Sequence, residues 1–142
     1  MKRLRQIRDY LVENGNLTRA SFALHILESE IDPVEKETGT GIHLFDDVQD
    51  AVIYIDDVTE TQYEKIKLLL YDWFRENGIK NENGGEEETW RLSSDDITDT
   101  LCLVTVTLRL VEATHIETTK DGAIERDEKR YAVTDKPTPV GI

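Results

Sequence analysis

Carboxylates are the residues of this sequence with the greatest capacity for chemistry, because they can bind divalent cations and transfer protons. Five of them flank one short predicted strand segment, residues 51–55: Asp46, Asp47 and Asp50 precede it, and Asp56 and Asp57 follow it. An extended strand of this length holds its ends about 17 Å apart, so the five acids do not converge on one cation. The pattern favours a solvated acidic rim; weak divalent-cation binding is the next alternative, and a catalytic carboxylate pair is the least favoured.

The other reactive residue types form no catalytic arrangement. His25, His43 and His115 are scattered without metal-ligand spacing, and the single cysteine, Cys102, falls on the apolar face of a predicted strand. A buried thiol at such a position is expected to be inert, and one cysteine excludes an intramolecular disulfide. The sequence has no nucleophile-elbow serine, no P-loop and no dinucleotide-binding glycine pattern. We therefore predict a protein that is not an enzyme and that binds no metal or cofactor.

The composition is that of an acidic protein. The 142 residues include 17 Lys and Arg against 30 Asp and Glu, a formal net charge of −13, which argues against general binding to DNA or anionic lipid. No apolar stretch approaches the roughly 20 residues of a membrane span, and the basic N-terminus lacks the apolar run of a signal peptide. The length predicts a single folded domain over residues 1–133, followed by an extended tail over 134–142.

The pattern of apolar residues predicts an α+β fold in which two helices pack against a mostly antiparallel sheet. The first 14 residues repeat apolar side chains at helical spacing. A second helix over residues 60–77 begins at a capping box formed by Thr59 and Gln62. The strands are predicted near residues 20–31, 42–55, 89–92, 100–116 and 123–133.

Turn signals separate these strands. The segment 20–31 fits a helix as well as a strand, and its alternation favours a strand that ends at Asp32-Pro33. Polar loops are predicted over 81–88 and 93–99, and Lys120-Asp121-Gly122 is typical of a hairpin turn. The strand that returns from this turn is highly charged, so we predict that it is an edge strand or a protruding arm.

Two apolar residues lie on the wrong side of the second helix. Leu68 and Tyr71 are about 140° or more from Ile66, which belongs to the apolar stripe. The hairpin between Arg109 and Arg130 is likewise poor in core residues. Either neighbouring subunits bury part of this surface, or another element of the same chain, such as the first helix, covers Leu68 and Tyr71. The residues alone favour neither explanation.

The order of these elements resembles the tail completion protein R family of contractile-tailed bacteriophages and their prophages. The most specific part is the strand and helix of residues 51–78, which end in Trp73-Phe74-Arg75-Glu76-Asn77 and are similar to the family's W-[LF]-R-E-N helix end. The second part is the alternating strand of residues 99–111, which leads through Glu112-Ala113-Thr114 to the hairpin at Asp121-Gly122-Ala123.

The resemblance spans residues 4–126, but the acidic loop 81–88 and residues 32–41 do not match it. None of the matched residues is catalytic, so the resemblance implies a role and no active site. It implies a virion protein at the head-proximal end of the tail, similar to tail terminators, whose α/β subunits assemble into a ring that is commonly a hexamer. Such a ring stops the growth of tube and sheath and offers a surface for the head connector.

Three groups of residues acquire expected roles from this resemblance. Subunit contacts are expected at Leu68, Tyr71, Arg109, Arg126 and Arg130. The basic face of the first helix, with Arg3, Arg5 and Arg8, is expected to meet an acidic surface on tube, sheath or connector. An acidic lumen that lets DNA slide is expected to contain Asp46, Asp47, Asp50, Asp56 and Asp57.

A different class of protein fits the same residues. The alternative is a small acidic adaptor or regulatory module that binds one partner protein through the exposed hairpin. The two hypotheses predict different locations, since a tail protein is made in the host bacterial cytoplasm and ends in the virion tail. They also predict different assemblies, because an adaptor would form a one-to-one complex and no ring.

Overall fold

A computed structural model describes residues 2–39, 41–81 and 88–134 of the chain. Within these residues the chain forms two helices, seven strands and a short 3-10 turn at Arg19–Ser21. The helices are α1 (Lys2–Gly15) and α2 (Glu60–Glu76). The strands are β1 (Phe22–Thr38), β2 (Gly41–Thr59), β3 (Lys80–Asn81), β4 (Thr89–Asp96), β5 (Leu101–Thr118), β6 (Ile124–Arg126) and β7 (Lys129–Thr134).

The sheet has the order β1-β2-β5-β4-β3, and β7 pairs with both β5 and β6. Strand β5 pairs antiparallel with β4 through residues 102–109 and antiparallel with β7 through residues 115–118. The short strand β3 pairs parallel with β4. The predicted combination of two helices with a mostly antiparallel sheet is therefore confirmed.

The chain divides into two compact units, each containing parts of β1, β2 and β5. The first unit is Met1–Glu28 with Gln49–Leu110, and the second is Ser29–Val48 with Val111–Ile142. In the first unit both helices bury apolar residues against one face of the sheet, because each helix has an apolar stripe that water disfavours. Its fully buried side chains include Leu4, Ile7, Leu11, Ile53, Ile55, Ile66, Leu70, Phe74, Val104, Val106 and Leu110.

Helix α2 begins and ends where the sequence predicts. The Thr59 N–H donates to Gln62 Oε1 at 2.9 Å, and the Gln62 N–H donates to Thr59 Oγ1 at 3.2 Å. This reciprocal pair is the predicted capping box, which satisfies N–H groups that have no partner inside the helix. At the other end Asn77 is the C-cap, and Gly78 follows with a φ of 71°.

The second unit contains a small core of its own. Ile116 is fully buried and Tyr131 is 7% exposed. A Cβ atom added to Gly41 would lie 2.1 Å from the carbonyl oxygen of Ile116, so only glycine allows this approach. The Arg126 guanidinium on β6 pairs with the Glu35 carboxylate on β1 at 3.1 Å, and this ion pair joins two strands of the unit that are not paired with each other.

The prediction for residues 20–31 was correct in type and wrong in length. The segment is strand, as its alternation indicates, but β1 continues past Asp32-Pro33 to Thr38. Proline lacks an N–H donor and usually interrupts a central strand. Strand β1 lies at the edge of the sheet, where one side of the backbone has no ladder partner, and Pro33 is accommodated there.

The predicted C-terminal hairpin differs from the observed one. The turn expected at Lys120-Asp121-Gly122 is present, because the Gly122 N–H donates to the Thr119 carbonyl at 3.3 Å. The single return strand expected over 123–133 is instead two short strands, β6 and β7. The reversal between them occurs at Asp127 and Glu128, which have positive φ values of 49° and 65°. Two consecutive residues of this conformation form the tight turn that matches strand twist. The segment over 109–130 is thus not one long charged arm.

Of the two predicted loops, 93–99 is shorter than expected and 81–88 is only partly described. Ser93 to Asp96 belong to β4, because they remain in register with Thr105 to Cys102 of β5. Residues 82–87 of the predicted loop 81–88 lie outside the described residues, as does the predicted tail apart from Thr134. In the described part of the chain, no helix has the length and apolar character needed to cross a membrane.

Candidate interaction surfaces

Helix α2 presents an outer face on the side opposite its buried stripe. Leu68 is 70% exposed and Tyr71 is 56% exposed, so no described element covers them, and the explanation that α1 does so is wrong. Lys65 and Arg75 are exposed within the same sector of about 120°. We call Lys65, Leu68, Tyr71 and Arg75 the α2 outer face.

The unpaired charges on this face are two cations and one carboxylate. Within the described residues Lys65, Arg75 and Asp72 form no ion pair. Asp72 lies in the same sector, about 20° from Lys65. Glu64 also lies within the sector, but the Lys67 ammonium binds Glu64 at 2.5 Å and lies 4.8 Å from the centre of the Tyr63 ring.

An acidic groove of about 740 Å³ lies beside the first turn of α2. Its carboxylates are Glu60 and Glu64 from α2, Asp96 from β4 and Asp99 from the turn between β4 and β5. Glu64 binds Lys67, whereas the other three carboxylates form no ion pair in the part of the chain that the structure describes. Apolar atoms of the wall come from Val58, Tyr63, Ile97, Leu101 and Cys102.

Backbone hydrogen bonds fix the turn that carries part of this groove. The N–H groups of Ile97 and Thr98 both donate to the Leu101 carbonyl at 3.1 Å. The Thr98 hydroxyl accepts hydrogen bonds from the N–H groups of Thr100 and Leu101, at 3.3 and 3.0 Å. This network holds Ile97 in a position where its side chain is 59% exposed. The sequence predicts only a polar loop here, because neither residue type nor spacing indicates that this turn and α2 line the same groove.

Cys102 lies in the wall of the acidic groove but is not suited to nucleophilic chemistry. It is 8% exposed, and its S–H donates to the Val58 carbonyl at 3.4 Å. Burial, together with the nearby negative charge of Asp96, raises the pKa of the thiol above its ordinary value. The protonated form therefore dominates at neutral pH, in agreement with the prediction of an inert buried cysteine.

Arg109 and Asp50, expected on different surfaces, are in contact with each other. The Arg109 guanidinium donates two hydrogen bonds to the Asp50 carboxylate, at 3.0 and 3.3 Å. They occupy neighbouring strands, β5 and β2, on the sheet face opposite the helices. A bidentate pair of this kind neutralises both charges and restricts both side chains.

The other two arginines of the expected subunit interface also have partners within the chain. Arg126 binds Glu35, as described above. The Arg130 guanidinium donates to the Gly122 carbonyl at 3.1 Å and lies 4.0 Å from the Glu125 carboxylate. These contacts stabilise the turn region of the second unit. The charges of Arg126 and Arg130 thus have partners within the chain. The expectation that these residues form subunit contacts stays a prediction.

The basic face of α1 is partly neutralised. Arg3 binds Glu88, and Arg8 binds the neighbouring Asp9 at 3.0 Å. Arg5 is exposed and has no ion pair with the described residues. Of the three arginines expected to face a partner, Arg5 is therefore the one whose charge is available for a new contact.

The five acids expected to flank a short strand all lie within β2, Asp46 and Asp47 in the second unit and Asp50, Asp56 and Asp57 in the first. Asp46 binds the His43 ring at 2.7 Å, and Asp47 accepts a hydrogen bond from Ser29. Asp50 is paired with Arg109, whereas Asp56 and Asp57 are exposed.

The histidines and acids of the described ranges form no group that could hold a metal ion. The rings of His43 and His115 are 4.4 Å apart in the second unit. Burial and the neighbouring His43 lower the pKa of His115, while Asp46 partly opposes this effect. Sequence spacing gave no indication of this contact, because 72 residues separate the two histidines.

These features describe an acidic α+β protein whose accessible side chains suit contacts with other proteins. The family model described as P2 phage tail completion protein R (GpR) matches residues 1–135, and the chain belongs to this family. The resemblance seen in the sequence is confirmed. Membership makes the protein a structural component of a phage tail that interacts with other tail components. A search of curated proteins and a search of solved structures gave no significant match.

Proposed function

We propose that this chain completes the tail at its head-proximal end, where it caps the growth of tube and sheath and presents a surface for joining the head. The observation that carries the proposal is the family match over residues 1–135. The protein acts by binding and needs no catalysis. Its partners are further copies of itself, tube and sheath proteins, and the head connector, which it meets in the host cytoplasm before the virion is complete.

A ring of identical subunits, commonly six, is the assembly that suits this role. A cap on a cylindrical tail must match its rotational symmetry, and repeated head-to-tail contacts between identical subunits close into a ring. Support comes from the α2 outer face, where Leu68 and Tyr71 are exposed at 70% and 56%. Exposed apolar side chains of this size are typical of surfaces that a partner buries.

The charge of the chain is compatible with the passage of DNA through such a ring. A net charge of −13 repels phosphates, so DNA would slide without adhering. Of the acids expected in the lumen, Asp56 and Asp57 are exposed, and Asp46 and Asp50 have partners in the chain. We propose that Asp56 and Asp57 contribute most to a lumen potential. A ring structure with both on its outer wall would contradict this.

Only one of the three arginines on the basic face of α1 is left to contact a partner. Arg3 and Arg8 already bind Glu88 and Asp9. We propose that Arg5 contacts an acidic surface on tube, sheath or connector. Arg5→Glu should weaken binding to purified tails, whereas Arg19→Glu, an exposed arginine 3.8 Å from Asp9, serves as the matched control.

Complementation of incomplete tails tests the proposal. Tails are assembled in a lysate of the phage from which the gene for this chain has been deleted, and purified chain is then added together with heads. The proposal predicts tails of uniform length that join heads only when the chain is present. Full-length tails that join heads equally well without it would contradict the proposal. A stable one-to-one complex with a host protein, without tail binding, would instead support the adaptor alternative.

A further inference from the structure

We propose that the α2 outer face of one copy docks into the acidic groove of a second copy. The proposal rests on the self-assembly put forward above and identifies the two surfaces that meet. Both surfaces belong to the first unit, and the helix α2 contributes to each of them. Its beginning supplies Glu60 to the groove, and its middle and end supply the outer face.

Charge complementarity is the first argument. The groove contains Glu60, Asp96 and Asp99, which form no ion pair within the described residues, and Glu64, which Lys67 already binds; no Lys or Arg lines it. The α2 outer face offers Lys65 and Arg75, which are equally without ion pairs in the described ranges. When the two surfaces meet, the groove carboxylates attract Lys65 and Arg75. This local attraction acts over about 8 Å at physiological salt and opposes the repulsion between two acidic proteins.

Apolar burial is the second argument. Leu68 and Tyr71 are exposed between the two cations, and Ile97 is 59% exposed at the groove. Val58, Tyr63 and Leu101 supply further apolar atoms to its wall. A volume of about 740 Å³ lies within the range of about 300–1,000 Å³ that accommodates drug-sized ligands, so it can hold two large side chains. Burial of a large apolar side chain at the centre of a contact, with charges around it, is how most interfaces obtain their affinity.

The proposed contact joins two different patches of the same chain, so two copies that form it are arranged head to tail. Each subunit that receives an α2 outer face still presents its own, and the contact can therefore repeat around a ring. Asp72 lies beside Lys65 within the outer face and is expected to remain at its solvent-exposed margin.

Charge reversal tests the contact without disturbing the core. The groove variant is Asp96→Lys with Asp99→Lys, and the helix variant is Lys65→Glu with Arg75→Glu. Matched controls with the same changes of net charge are Glu30→Lys with Glu37→Lys, and Lys36→Glu with Lys120→Glu, all at exposed positions. Self-association is measured by sedimentation velocity from micromolar to near-millimolar concentration, and circular dichroism verifies that each variant is folded.

The proposal predicts a specific pattern of loss and recovery. Each contact variant alone should associate at least about tenfold more weakly than the unmodified chain, and the controls should not. An equimolar mixture of the two contact variants should recover association, because an acidic helix face then meets a basic groove. A mixture that remains monomeric would overturn the contact, and so would an unmodified chain that stays monomeric at all concentrations.

The same variants distinguish this contact from the proposed function. If the contact variants complete tails as well as the unmodified chain does, the proposed function stands and the contact is overturned. If the mixture recovers association but the unmodified chain completes no tails, the contact stands and the proposed function is contradicted. Association that all charge variants preserve would assign the interface to another surface.

Discussion

The Arg109 guanidinium forms two hydrogen bonds with the Asp50 carboxylate, Nε to Oδ1 at 3.0 Å and Nη2 to Oδ2 at 3.3 Å. The sequence suggested that Arg109 contacts other subunits and that Asp50 belongs to an acidic lumen. Their mutual contact satisfies both groups within one chain. In a protein with many more acids than bases, an arginine is readily paired by a neighbouring strand, so its presence alone says little about partners.

The energetic value of this ion pair can be measured by a double-mutant cycle. The two side chains are 40% and 36% exposed, so solvent screens much of their attraction. We expect Arg109→Gln and Asp50→Asn each to lower the free energy of unfolding by about 1 kcal/mol or less, and the coupling energy to be about 0.5 kcal/mol. Urea denaturation of the four proteins gives these values. Strict additivity would show that the pair contributes nothing.

The exposure of Leu68 and Tyr71 leads to a prediction about folding and assembly. The double variant Leu68→Asp with Tyr71→Asp should fold, with a free energy of unfolding within about 1 kcal/mol of the unmodified chain, because surface changes cost little. Self-association and tail completion should be lost. Leu70→Asp is the contrasting variant, since Leu70 is fully buried and its replacement should prevent folding. Loss of folding in the Leu68 and Tyr71 variant would place both residues in the core and refute their role in an interface.

The backbone at Gly41 lies so close to the Ile116 carbonyl that a single added methyl group should greatly lower the free energy of unfolding. A Cβ atom there would lie 2.1 Å from the Ile116 carbonyl oxygen, and Ile116 is paired with Val133 in the sheet. Gly41→Ala should lower the free energy of unfolding by about 2 kcal/mol or more. At Gly15, at the end of α1, the nearest atoms are 3.4 Å away, and alanine should cost less than about 0.5 kcal/mol there. Equal effects of the two substitutions in urea denaturation would contradict the packing described at Gly41.

The lowered pKa of His115 predicts a dependence of stability on pH. Burial and His43 disfavour the protonated ring in the folded state, whereas the unfolded chain protonates near its ordinary value of 6.5. As the pH falls below about 6.5, the unfolded state binds more protons at this site, and stability decreases. His115→Gln should therefore lose less stability than the unmodified chain between about pH 7.5 and about pH 5.5. Identical losses in both proteins would exclude His115 as a contributor.

The elements that could be predicted from the sequence are those with strong local signals. The capping box of Thr59 and Gln62, the apolar stripe of α2 and the alternation of β5 each depend on residues that are close in the chain. Their structures agree with prediction because side-chain periodicity and capping act locally. The position of Leu68 and Tyr71 off that stripe was also predictable, but whether another element covers them was not.

The features that prediction missed depend on contacts between distant parts of the chain. Pro33 ends no strand, since β1 lies at a sheet edge, and edge position is a property of topology. The turn at Gly122 formed as predicted, but the second reversal at Asp127 and Glu128 has no glycine to indicate it. The acidic groove is lined by the start of α2 and by the turn after β4. No local sequence pattern predicts that these two segments lie side by side.

The position of the protein in the virion is the most direct measurement of its function. A peptide tag is attached to the N-terminus of the chain, tails are assembled in the host with the tagged protein, and gold-labelled antibody is located by electron microscopy. The proposed function predicts label at the head-proximal end of each tail, at the junction with the head. Label along the tube, label at the distal end, or tails without any label would contradict it.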